Sequence, residues 1–119
     1  PHASGLLDGT FTRDTVFDPS DHRSHREQEW LDRSLVKLER LGFLSEHIDA
    51  TIGQIAIKFA LSGDRVACVL PNITNMEQLH EFAAAPDSEE IPADDLETTR
   101  QLFDENFGLP EEVESPVAD

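Results

Sequence analysis

The junction Leu70-Pro71-Asn72-Ile73-Thr74-Asn75 joins an apolar run to a helical pattern. The end of a strand meeting the start of a helix is where α/β folds place their ligands. Backbone N–H groups at a helix start favour phosphate, so Thr74 and the backbone around it are candidates for holding a cofactor phosphate. Thr74 and Asn75 serve equally as plain N-caps. Arg23 lies in a long loop of an acidic chain, where it either closes over a phosphate or pairs with a nearby Asp. Gly5 and Gly9 allow close approach of backbone to a ligand, or simply turns. His22 and His25 stand three apart and invite a metal reading, which neither a third nearby His nor a Cys supports. His2, His47 and His80 have no nucleophile or partner in the sequence and read as surface histidines. No catalytic residue and no metal ligand is assigned.

Composition narrows the classes. The chain has 119 residues and a formal charge of −16, from 25 acidic and nine basic residues. That balance repels nucleic acid and anionic membranes. Only Lys37 and Lys58 are lysines, and the carboxylates are spread along the whole length, a pattern that points to a halophile with a salt-rich cytoplasm that screens self-repulsion. Cys68 is the single cysteine, which excludes an internal disulfide. No stretch reaches the roughly 18 apolar residues that span a bilayer, and the start Pro1-His2-Ala3-Ser4 has no Met and no leader pattern. The protein reads as cytoplasmic and its first residue as an internal cut.

The elements that must position these residues follow from periodicity. Residues 1–21, rich in Gly, Thr, Asp and Pro, read as a loop. Leu31, Leu35, Leu38 and Leu41 recur at helical spacing beside Trp30, predicting a helix over 24–41 with Ser24 as N-cap and Gly42 as stop. After a linker at 45–49, Ile52, Ile55, Ala56, Phe59 and Ala60 form one face of a helix over 51–61, ended near Ser62-Gly63. Residues 66–70, apolar without alternation, predict a strand buried on both faces, with Cys68 as a small core residue. A helix from Thr74 or Asn75 to about Ala85 carries a capping box between Asn75 and Gln78 and is closed by Pro86. A last helix spans 93–106, with Leu96, Thr99, Phe103 and Phe107 in register and Gly108 behind it, and an acidic tail reads as disordered. A strand buried on both faces needs neighbours that this chain does not offer, which places the missing strands upstream.

With these residues on the page, a family likeness emerges. The stretch Pro1-His2-Ala3-Ser4-Gly5-Leu6-Leu7-Asp8-Gly9-Thr10 resembles the aldo-keto reductase segment that leaves the seventh barrel strand. Ile55 to Leu61 resembles the helix before strand eight, Val66 to Pro71 that strand, and Thr74-Asn75-Met76-Glu77-Gln78-Leu79-His80-Glu81-Phe82 the family's cofactor-gripping motif. The likeness covers roughly nine tenths of the chain. It implies that residues 1–110 are the C-terminal portion of a TIM (β/α)8 barrel, mostly helical with one buried strand, followed by the tail at 111–119. It implies a parent NADP-dependent oxidoreductase, with NAD as the alternative cofactor, that reduces a small aldehyde or ketone by hydride transfer and requires the upstream barrel portion. Pro1 and Gly5 would line the pyrophosphate, Arg23 would hold the adenosine end, Thr74 would take the 2′-phosphate, and Gln78 and Glu81 would contact the adenine-ribose side.

Some positions depart from the pattern. His2 stands where Leu is usual, Asp8 and Thr10 where Thr and Lys are usual, and Phe82 where Asn is usual. The loss of that Lys weakens phosphate binding and leaves the choice between NADP and NAD open. The family's catalytic Asp, Tyr, Lys and His belong to the first four strand-loop units, and this chain contains no Tyr at all. The rival reading is a small acidic helical interaction module, with the Leu31, Leu35 and Leu38 face docking a partner helix.

Overall fold

The computed structural model describes residues 2–26 and 28–111. Among them five α-helices follow in order: α1 (Gln28–Arg40), α2 (Gly42–His47), α3 (Ile52–Leu61), α4 (Met76–Ala83) and α5 (Ala93–Asp104). Short 3-10 turns cover Ala3–Asp8, His22–His25, Ala85–Asp87 and Asn106–Gly108.

Helix α3 packs against α2, α4 and the turns Ala3–Asp8 and Ala85–Asp87. Thr51 Oγ1 accepts from the Gln54 N–H at 3.2 Å and Gln54 Oε1 accepts from the Thr51 N–H at 3.1 Å, a complete capping box, which satisfies two donors at the helix start. The helix is apolar nearly all round and is buried on two sides, not on the single predicted face. Ile55 packs with Leu44, Ile48 and Ile91, while Ile57 packs with Phe82 and Ala85. The predicted Ile52, Ala56 and Phe59 instead border an apolar hollow of about 440 Å³ that Phe103 and Phe107 also line. Lys58 is buried in the second contact, where Nζ donates to the Pro86 carbonyl at 3.0 Å and to the Glu90 carboxylate.

Several boundaries differ from the sequence reading. Ser24 does not cap α1; it lies in the turn His22–His25, whose cap is Asp21, and its hydroxyl reaches the Pro19 carbonyl. The first helix ends at Arg40, close to the predicted Leu41, and Gly42 then opens α2, which occupies most of the predicted linker. Its φ is not positive, so it makes no left-handed cap, and the burial of Leu44 at 3 % exposure holds the chain helical there. The Leu31, Leu35 and Leu38 stripe of the rival reading is turned inward, with Leu31 at 2 % exposure and the other two half-buried.

The predicted strand is the largest correction. Residues 66–70 belong to no helix, and no strand occurs among the described residues. Val66 is 43 % and Leu70 86 % exposed, Cys68 is exposed rather than in a core, and only Val69 leans on the Phe82 cluster. The physical reason is the one already given: a strand buried on both faces needs hydrogen-bonded neighbours, and the described residues supply none. No described helix is long and apolar enough to cross a membrane. Of the tail expected to be disordered, all but Glu111 lies outside the described residues.

Gly53, on the first turn of α3, is where segments meet. A Cβ there would stand 2.9 Å from Phe82 Cε1, 3.0 Å from Glu81 Oε1 and 3.4 Å from the Leu7 carbonyl. Phe82 is buried and stacked on His2, with ring centroids 4.2 Å apart, so it has little room to yield. Overpacking costs about 1–3 kcal/mol, against a helix-propensity gain of at most about 1 kcal/mol. Gly53→Ala is therefore expected to lower the urea midpoint of the chain; a raised midpoint would show that α3 and α4 are not in this contact.

Candidate functional site: the cavity between the N-terminal segment and the start of α4

The N-terminal segment reaches α3 through His2. Its Nε2 donates to the Gly53 carbonyl at 3.1 Å, and since a carbonyl only accepts, Nε2 carries the proton. His2 is 6 % exposed and stacks on Phe82, so it is not the surface histidine expected from sequence. Its Nδ1 is buried without a hydrogen-bond partner, and an orphaned buried polar atom calls for an explanation such as a ligand or water. Immediately after it Ala3, Ser4 and Gly5 all have positive φ, at 49°, 60° and 89°. Left-handed backbone in non-glycine residues costs energy and clusters at functional positions. The turn aims the Ser4 carbonyl at Arg23, whose Nη1 donates to it at 2.9 Å.

Arg23 is held from several sides. Asp21 caps the 3-10 turn through the Arg23 N–H at 2.9 Å and takes the guanidinium in a fork, Nε to Oδ1 at 2.9 Å and Nη2 to Oδ2 at 2.6 Å. The guanidinium also lies over Phe11 and Phe17, 5.2 and 4.8 Å from the ring centroids, within cation–π range. Gly5 is constrained by this arrangement, since a Cβ on it would stand 3.1 Å from Arg23 Nη1 and 3.3 Å from Phe11 Cζ.

On the opposite side Asn75 caps α4, its Oδ1 accepting from the Gln78 N–H at 2.8 Å. The predicted capping box is not closed. Gln78 Oε1 reaches Thr74 instead, accepting from its N–H at 2.9 Å and its hydroxyl at 2.8 Å, while Gln78 Nε2 donates to Asp8 Oδ2 at 3.2 Å. Between these groups lies a cavity of about 770 Å³, a size that suits a small molecule or part of a cofactor.

Gly5, Arg23, Thr74 and Gln78 all line this cavity, although up to 73 positions of sequence separate them (78 − 5). Glu81 does not line it. Its carboxylate accepts from the Thr51 hydroxyl and its carbonyl from Gln54 Nε2 at 2.9 Å, which ties α4 to α3. Pro1 lies outside the described residues. Sequence reasoning allowed Arg23 a nearby Asp as partner without naming Asp21, which stands two residues before it, and missed the aromatic pair Phe11 and Phe17. No group of three or more potential metal ligands occurs among the described residues, His22 and His25 included.

The cavity residues fit part of a dinucleotide: a helix start with a hydroxyl beside it, a guanidinium, a glycine where the backbone is tightly approached, and an unsatisfied imidazole nitrogen. The balance of charge is unusual for phosphate, because Asp8 and Asp21 both face the one guanidinium. Hydrogen bonds from the Arg23 guanidinium, then from its backbone N–H, hold the Asp21 carboxyl well below its ordinary 3.8. A carboxylate depressed in the folded state contributes stability that is complete above that ordinary value and is lost as pH falls toward the folded one. Arg23→Ala is expected to return Asp21 toward 3.8 in a carbon-detected carboxyl titration and to move the acid transition upward; an unchanged Asp21 titration would exclude the fork.

Comparison with known proteins adds the family. No curated protein and no solved structure matches the chain. The family model described as "Aldo/keto reductase family" matches residues 1–104, which include both sides of the cavity. That family is one of oxidoreductases built on a TIM barrel, which takes roughly 250 residues, so the residues present can form only part of one. With nearly its whole length matched, from the left-handed turn to the end of α5, this chain belongs to the aldo/keto reductase family.

Proposed function

We propose that this chain contributes the cofactor-binding end of a nicotinamide-dependent carbonyl reductase, NADP or NAD being the dinucleotide and a small aldehyde or ketone the substrate. The observation that carries the reading is the convergence of Gly5, Arg23, Thr74 and Gln78 on one cavity. Gly5 and the left-handed turn expose backbone to the pyrophosphate, Arg23 bounds the adenosine side, and Thr74 and Gln78 offer hydroxyl and amide groups at the start of α4. Glu81 and His2 serve as positioning residues that fix α4 and the N-terminal segment against α3. Bound there, the reduced nicotinamide supplies the hydride, and the residues of this chain bind and orient it. The proton donor must come from the rest of the barrel, since the family's donor is a Tyr and the chain contains none.

The test is a titration of the chain with NADPH and with NADH in molar KCl, followed by Trp30 and nicotinamide fluorescence. It is repeated with a polypeptide supplying the remaining strands. Saturable binding to the chain is expected, with carbonyl reduction only when the strands are added. Thr74→Val is expected to weaken binding by about threefold to tenfold, the worth of one hydrogen bond. A folded chain indifferent to both dinucleotides in both settings would contradict the proposal.

A further inference from the structure

We propose that the Asp8–Gln78–Thr74 constellation selects a dinucleotide whose adenosine ribose carries free hydroxyls, so that the site takes NAD(H) in preference to NADP(H) and Asp8 is the specificity-determining residue. This rests on the dinucleotide reading above. The constellation is continuous: both Thr74 donors go to Gln78 Oε1, and Gln78 Nε2 goes to Asp8 Oδ2. The same Oδ2 lies 3.5 Å from where a Gly5 Cβ would be, which puts the carboxylate beside the cavity wall rather than out in solvent.

A phosphate ester next to Thr74 would have to displace the Gln78 amide oxygen and settle near Asp8. Arg23 is the one Lys or Arg among the described residues lining the cavity. Three of its five N–H groups are taken by Asp21 and the Ser4 carbonyl, and its charge is already paired with Asp21, so it offsets little of the two charges of a phosphate. A ribose diol makes the opposite demand. Its hydroxyls donate, and the Asp8 carboxylate accepts, while the Gln78 oxygen stays with the two Thr74 donors. In doubly wound dinucleotide folds a carboxylate on the ribose hydroxyls favours NAD and an Arg accepts the 2′-phosphate of NADP; the same chemistry applies to Asp8 here.

The experiment measures Kd for NADH and NADPH on the full chain by nicotinamide fluorescence, for the wild type and Asp8→Asn, in about 0.1 M and about 1 M KCl, where the screening length falls from roughly 10 to 3 Å. Asn keeps an oxygen for Gln78 Nε2 and removes the charge. The expected result is NADH tighter by at least about tenfold at low salt, with a gap that narrows at high salt and narrows again in Asp8→Asn. NADPH binding equal to or tighter than NADH, or a gap indifferent to both salt and Asp8→Asn, would overturn the selectivity while leaving the dinucleotide reading intact. Failure of the folded wild type to bind either, both alone and with the remaining strands supplied, would overturn both. If Asp8→Asn does not fold, the salt dependence of the wild-type ratio decides alone.

Discussion

The close approach of three segments at Gly53 is the contact on which the site depends. The first turn of α3 lets the Leu7 carbonyl, the Glu81 carboxylate and the Phe82 ring come within 3.4 Å of where a side chain would begin, and the Gly53 carbonyl holds His2. That approach seats the N-terminal segment and α4 side by side on α3, where His2 stacks on Phe82 and Gln78 reaches Asp8. Two walls of the cavity are carried on these segments, Ser4, Gly5 and Asp8 on the first and Thr74 and Gln78 on the second, and the loop with Asp21 and Arg23 adds a third. Glu81 reinforces the junction through Thr51, the residue that also caps α3, so the same hydroxyl starts the helix and docks its neighbour.

Electrostatics then decide what such a cavity can hold. In a chain with a formal charge of −16, one guanidinium shared by Asp21 and in the field of Asp8 is a weak attractor for a polyanion. The fork on Asp21 makes Arg23 a fixed structural feature. It closes the loop carrying the His22–His25 turn onto the left-handed turn at Ser4. Of the two possibilities that sequence left open for Arg23, the pairing with an Asp is present, and the same guanidinium also lines the cavity.

Much of this was legible in the residues. The helix-capping pattern at Asn75, the start of a helix at Thr51 and the stop near Ser62 depend on local hydrogen bonds, and local chemistry is what a sequence displays. The family likeness linked the two sides of the cavity that spacing alone could not bring together. What was not legible depends on partners far away in the chain. Gly42 carries the composition of a helix stop, but Leu44 packs into the Ile48 and Ile55 cluster and keeps the chain helical. Glu81 looks like a cofactor contact by motif, and the side chain that captures it, Thr51, is 30 positions earlier. The apolar run 66–70 has the composition of a central strand, and composition carries no information on whether neighbouring strands are present to pair with it. His2 was read as exposed because nothing in the sequence marks the Phe82 ring it stacks on.

The most direct test of the single-cavity claim is an amide-resolved nuclear magnetic resonance titration of the full chain with NADH. The expected result is that the amides of Gly5, Arg23, Thr74 and Gln78 shift together with one saturation curve, and that Gly53→Ala weakens all four by the same factor. Shifts confined to one of the two segments, or gathered instead around the apolar hollow at Leu41, Phe59 and Phe103, would contradict a site built across the Gly53 junction.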